Sequence, residues 1–109
     1  MPPYRAATCL DGYPRVSVII AARNEEEDLP ALLRDLTRQA YPTEKIEIIV
    51  VNDHSEDETV RLAEAFAQDH GPVSLFHLKE DTGKKHALRL GIQKATGELV
   101  LTTDADCRV

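Results

Sequence analysis

The sequence predicts an α/β fold, a mostly parallel sheet of about four strands flanked by helices. Three observations carry this. Short apolar runs alternate with segments of helical periodicity, in the order βαβαβαβ. Capping patterns open the first two helical segments, and Pro or Gly residues follow each of the three. Every strand-to-strand link contains a helix, so the strands should run parallel with right-handed crossovers.

Residues 1–15 carry Pro2, Pro3, Gly12 and Pro14, a loop-like lead-in, and the folded unit is expected over 16–109. Val16–Ala22 is an apolar run interrupted only by Ser17, the mark of a strand buried on both faces. Asn24 and Glu27 form a capping-box pattern ahead of a helix with the stripe Leu29, Leu32, Leu33, Leu36 and Ala40. Pro30 falls in its first turns, and Pro42 follows its end. Ile46–Val51 is a second buried strand. Ser55 and Glu58 repeat the capping pattern before a helix with Val60, Ala63, Phe66 and Ala67 on its apolar face, closed by Gly71-Pro72. Val73–Leu78 is the third strand. A third helix covers about Lys84–Ala95, with Leu88, Gly91, Ile92 and Ala95 expected inward and Gly97 as its stop. Glu98–Thr103 is the fourth strand.

Bulk properties narrow the function. A chain of 109 residues is at most one domain, and 42% hydrophobic with 29% charged residues suits a soluble globular protein rather than a disordered one. The net charge of −6, from 19 acidic and 13 basic residues, argues against a nucleic-acid partner, which needs a basic patch. It leaves phosphate binding open, because that uses a few placed cations and backbone N–H groups. Cys9 and Cys107 form no C-x-x-C pair, so reduced thiols and a cytoplasmic location are expected. No apolar run is long enough for a signal h-region or a membrane span.

In a parallel sheet all strands end on one edge, where open α/β sheets bind ligands. Polar clusters follow every strand there: Arg23–Glu27, Asn52–Asp57, Glu80–His86 and Asp104-Ala105-Asp106. On an extended segment Asp104 and Asp106 share a side, with α-carbons roughly 7 Å apart. That spacing suits an ion already carrying a phosphate ligand, and Mg²⁺ or Mn²⁺ prefers such oxygen donors. A carboxylate at Asp53 can accept hydrogen bonds from a ligand N–H. Gly83-Lys84-Lys85 combines a flexible glycine, cations and a helix N-terminus, a plausible anion site. Each cluster also has a plain reading: solvated turns, or acids such as Glu25–Asp28 favouring a helix start. Their coincidence on one rim weighs against that. No P-loop and no Gly-x-Gly-x-x-Gly is present. His54, His70, His77 and His86 lack zinc-site spacing, and the soft thiol of Cys107 suits a hard ion poorly.

The chain closely resembles family 2 glycosyltransferases of the GT-A fold. The matching pieces are Val16–Glu26, Ile48–Asp57, Gly83–Leu88 and Asp104-Ala105-Asp106. The resemblance implies a Rossmann-like GT-A half-domain with strand order 3-2-1-4, the nucleotide-sugar-binding part of a catalytic domain. It implies that Ala21, Ala22, Arg23, Asn24 and Glu25 line the nucleotide pocket and that Asp53 hydrogen-bonds the base, typically uracil. Lys84 would contact the diphosphate region. Asp104 and Asp106 would be the D-x-D motif, touching ribose and a Mn²⁺ or Mg²⁺ ion on the diphosphate. The implied reaction is transfer of a sugar, with inversion, from a UDP-sugar to an acceptor hydroxyl on a glycan or lipid. Asn52, where the family often has aspartate, and Asp81, where asparagine is frequent, depart from the pattern.

Family members continue beyond D-x-D with an acceptor-binding half and a catalytic base. No base can be nominated here, so the expectation is a donor-binding piece of a longer enzyme, inactive in transfer by itself. For the longer parent, the resemblance implies the cytoplasmic face of an inner membrane. An exposed fourth strand should promote self-association. The alternatives are a sugar-phosphate nucleotidyltransferase, which would want a glycine-rich stretch after the first strand, and a non-catalytic nucleotide-binding module. A signalling receiver domain is disfavoured, because its phosphorylated aspartate follows the third strand and Asp53 follows the second.

Overall fold

A computed structural model describes residues 14–38 and 45–104. Within them run β1 (Val16–Ala22), α1 (Leu29–Thr37), β2 (Ile46–Asn52), α2 (Thr59–Asp69), β3 (Val73–His77), α3 (Lys84–Lys94) and β4 (Leu99–Asp104). The four strands form one parallel sheet in the order β3-β2-β1-β4. Topology and order are as the sequence and its resemblance predicted.

The central strands are apolar on both faces because both faces are covered. Val18, Ile20, Ile48 and Val50 pack with Leu29, Leu32, Leu33 and Ala63 of α1 and α2 on one side. Ile19, Ile49 and Val51 pack with Ala87 of α3 on the other. There α3 lies close. A Cβ at Gly91 would sit 2.2 Å from Ile19 Cγ2, so only glycine fits without displacing the core. Ile92, expected inward, is 50% exposed. It lies about 100° around the helix from Gly91, off the face that meets the sheet. Leu99, Val100 and Leu101 are also exposed, because β4 is an edge strand.

Both expected capping boxes are absent. The helix α1 starts later, with Asp28 at its N-cap and no side-chain cap bond. Pro30 lacks an N–H, and the Leu29 N–H bonds to the Glu25 carbonyl. Likewise α2 has Glu58 at its N-cap and no side-chain cap bond. Asn24 and Ser55 are used elsewhere, as described below. Gly97 is not a left-handed helix stop, since Gly83 is the one positive-φ glycine among the described residues. Its N–H donates to Ser17 Oγ at 2.8 Å instead. Ser17 in turn donates to Glu47 Oε1 at 2.7 Å, which also accepts the Thr96 N–H at 3.0 Å. This polar knot, with Ser17 buried at its centre, fastens the start of β4 to β1 and β2. Desolvation raises the Glu47 carboxyl pKa, but the Thr96 and Ser17 donors and the Arg15 charge outweigh it and hold it below the ordinary range. Ala40 and Pro42 lie outside the described residues.

Candidate functional site

All four strands end on one rim. There β1 is central, and its end sets the level of its neighbours: Ala21 pairs with Val51 on β2 and with Asp104 on β4, and Ala22 pairs with Asn52. The next residue, Asp53, donates its N–H to the Ala22 carbonyl at 2.9 Å. Asp53 and Asp104 therefore flank the end of β1 on either side. Asp106 lies outside the described residues, as does the side chain of Asp104.

A cleft of about 300 Å³ opens at this rim, lined by Ala21, Ala22, Arg23, Glu25, Asp53, Gly83 and Lys84. These are residues expected at the site, arriving from the end of β1 and its loop, the loop after β2, and the start of α3. A larger cleft of about 610 Å³ runs along β3 and α3, lined by residues such as Phe76, His77, Leu90 and Lys94. It runs along the β3 edge of the sheet into the loop after that strand, through Leu78, Lys79, Glu80 and Asp81, and shares no lining residue with the rim cleft.

Asn24 does not line the rim cleft. Its φ is 53°, a left-handed conformation that asparagine tolerates better than most residues. Its N–H donates to Ser55 Oγ at 3.0 Å, and its Oδ1 accepts the Glu56 N–H at 2.7 Å. The Glu25 N–H donates to Thr59 Oγ1 at 2.8 Å. The Glu26 N–H reaches Asp57 Oδ2 at 3.3 Å, and the Glu58 N–H returns to Glu26 Oε1 at 3.0 Å. The residues read as two helix caps thus cross-link the loops after β1 and β2. Desolvation raises the Asp57 carboxyl pKa, and the Thr59 hydroxyl and N–H with the Glu26 N–H more than offset it, leaving it lowered.

Asp53 is 3% exposed, and both carboxylate oxygens are engaged. Thr82 donates its hydroxyl to Oδ1 at 3.1 Å, and Gly83 its N–H to Oδ2 at 2.8 Å. Asp53, expected from the sequence only as an acceptor for a ligand N–H, therefore also has a structural duty. A carboxylate has roughly four acceptor positions, so a ligand N–H can still join the two donors present. Gly83 has φ 107° and ψ 153°, a region essentially restricted to glycine, and opens α3. Lys84 follows in the first turn, where the helix dipole and backbone N–H groups favour an anion. His54, also left-handed at φ 57°, donates Nε2–H to the Asp81 carbonyl at 2.8 Å.

Sequence reading missed Thr82 and the His54 bond, since nothing in the linear order joins residues 27 to 29 apart. It noted Asn52 as a departure, and the structure supplies the reason. The Asn52 amide accepts the Ser55 N–H through Oδ1 at 3.0 Å and donates from Nδ2 to His77 Nδ1 at 3.1 Å. An aspartate could only accept.

The Glycosyl transferase family 2 profile matches residues 17–109. The chain belongs to that family. Glycosyltransferase AglE of Haloferax volcanii is 34% identical over 94 residues, covering 86% of this chain and 31% of that protein. The dolichyl-phosphate beta-glucosyltransferase of Drosophila melanogaster is 37% identical over 99 residues, covering 84% and 30%. Among solved structures, the mannosyltransferase PcManGT from Pyrobaculum calidifontis, in complex with GDP-Man and Mn²⁺, has a TM-score of 0.79 at 38% identity, over 85% of this chain and 28% of that one. TarS 1-349 of S. aureus in complex with UDP-GlcNAc has a TM-score of 0.75 at 29% identity, over 84% and 26%. The chain thus spans about a third or less of the curated relatives it matches. The solved neighbours share the GT-A fold with this chain.

Proposed function

We propose that this chain binds the nucleoside diphosphate of a sugar donor and belongs to an enzyme that transfers the sugar, with inversion, to an acceptor. One observation supports the reading above all. Ala21, Ala22, Arg23, Glu25, Asp53, Gly83 and Lys84 share one cleft, and the register puts Asp104 beside Ala21 at its margin. In this reading Asp53 accepts a base N–H, Arg23 and Lys84 lie along the phosphates, and Asp104 meets the ribose.

Asp104 and Asp106 would hold Mn²⁺ or Mg²⁺ jointly with phosphate oxygens. Two carboxylates leave the rest of such an ion's coordination to phosphate oxygens and water. An all-oxygen set of carboxylates and phosphates fits a hard divalent cation. When bound, the ion supplies Lewis-acid stabilisation of the departing diphosphate. The chain's own part is to hold the donor and its leaving group in one orientation at a fixed rim. We assign no catalytic base within it.

A UDP-sugar is the proposed donor, and the GDP-Man complex of the Pyrobaculum enzyme makes GDP the natural comparison. A glycan or lipid hydroxyl is the proposed acceptor. Relatives named for dolichyl phosphate and undecaprenyl phosphate favour a lipid phosphate as the second reading. We place donor binding in the cytoplasm. The exposed Leu99, Val100 and Leu101 on an edge strand support pairing with a second copy of this chain. Light scattering at micromolar concentration should then show dimers or larger species; a clean monomer counts against it.

Isothermal titration with UDP and Mn²⁺ tests the donor reading. We expect heat from the wild type, weakened by Asp106→Ala and again by Asp53→Ala. No heat from the wild type with either UDP or GDP, or unchanged binding in both variants, rules the reading out.

A further inference from the structure

Asp53 is expected to read the base, yet its carboxylate is committed to a different part of the cleft. Its two oxygens accept from Thr82 Oγ1 and from the Gly83 N–H, 29 and 30 residues further along the chain. Those donors belong to the turn that opens α3 and presents Lys84. Gly83 adopts φ 107°, and a Cβ there would meet nothing within 4 Å, so glycine is needed there for its backbone and not for space. The turn is bonded by the carboxylate behind it and by the His54 bond to the Asp81 carbonyl beside it.

We infer that Asp53 is a positioning residue for the diphosphate end of the cleft: by anchoring the Thr82-Gly83 turn it fixes where Lys84 and the start of α3 meet phosphate, in addition to any contact with the base. This rests on the nucleotide-donor reading above. Asp53 is 3% exposed and cannot follow a mobile loop; it stands at the end of a central strand, and the turn must come to it. A hydrogen bond to a buried charge is stronger than a neutral one, so this link is stiff. Base recognition and phosphate recognition then share one side chain, and a base that engages Asp53 also tightens the phosphate side.

The test compares UDP with UMP, which lacks the second phosphate, by titration in the presence of Mg²⁺. Asp53→Asn keeps the shape but removes the charge and leaves a single accepting oxygen, so it cannot accept from both Thr82 and the Gly83 N–H. A residue that only reads the base would lower both affinities by the same factor. Positioning predicts that the UDP-to-UMP affinity ratio falls about tenfold, the worth of one hydrogen bond to a charge. Thr82→Val, which leaves Asp53 in place for the base, should weaken UDP severalfold and leave UMP unchanged. It also serves if Asp53→Asn does not fold.

Hydrogen exchange at the Gly83 amide, measured without ligand, gives a separate readout: slow in the wild type, fast in Asp53→Ala, which removes both accepting oxygens. Equal losses for UDP and UMP with a still-protected Gly83 amide overturn the inference and leave the donor reading standing. Failure of the wild type to bind UDP or GDP removes the donor reading and the coupling to phosphate with it. Gly83 exchange then decides the positioning role alone, protection unchanged by the substitution overturning it.

Discussion

Two junctions shape the rim, and they are built on opposite principles. The loops after β1 and β2 are joined by five hydrogen bonds involving Asn24, Glu25, Glu26, Ser55, Glu56, Asp57, Glu58 and Thr59. Most of these lie at the exposed surface, and no single side chain makes more than a minority of them. The loops after β2 and β3 depend on far less: Asp53, buried, takes both Thr82 and Gly83, with one further bond from His54. The first junction distributes its stabilisation, and the second concentrates it in one carboxylate. A distributed junction tolerates change at any one position. A concentrated one transmits a change at one residue directly to the site.

Substitutions should expose this contrast. The largest effect belongs to Asp53→Ala, which strands two donors at once. We expect about 2–3 kcal/mol of destabilisation in urea unfolding, since hydrogen bonds to a charged group are worth more than neutral ones and buried donors are costly to leave unmet. Next is Gly83→Ala, about 1–2 kcal/mol, because alanine is strained at φ 107° even with open space for its Cβ. In the distributed junction, Asn24→Gly keeps the left-handed backbone and removes only the side-chain bond to Glu56. It should cost about 1 kcal/mol or less in the same assay. An Asn24→Gly loss equal to that of Asp53→Ala would dissolve the distinction between the junctions.

The smallest expected effect lies at the other end of the sheet and depends on pH. The Glu47 carboxyl is held below its ordinary value of 4.5. A depressed carboxyl pKa stabilises the fold above the unfolded value, and the contribution disappears as pH falls through the folded one. The gap in melting temperature between wild type and Glu47→Gln should therefore be constant near neutrality and close below about pH 4.5. A gap that widens in acid would show that Glu47 is not stabilised as the carboxylate.

The same contrast explains what the sequence made legible. The strands and their parallel order could be read because Val16–Ala22 and Ile46–Asn52 are apolar on both faces, a pattern that buried parallel strands require. Rim residues could be read because a parallel sheet puts every strand end on one edge. The caps were misread because Asn24 and Ser55 have the chemistry of helix caps but spend it on each other's loops, 31 residues apart. Capping patterns presume a local partner, and a competing distant donor leaves no trace in the spacing. Ile92 was misread for a related reason: the small Gly91, not the large apolar residue next to it, marks the contact face, because α3 approaches too closely for a side chain. Thr82 was illegible, since its role appears only once β2 and β3 lie side by side.

The knot of Ser17, Glu47, Thr96 and Gly97 fastens β4 where that strand begins, and Ala21 meets Asp104 where it ends. Residue count between those two points is thereby a ruler. Side chains alternate across the pleat, so deleting or adding one residue within 98–103 would transpose every later side chain, Asp104 included, to the opposite surface of the sheet. Apolar residues of this segment can be exchanged for one another without touching that count, whereas a change of one in their number breaks the match between β4 and β1.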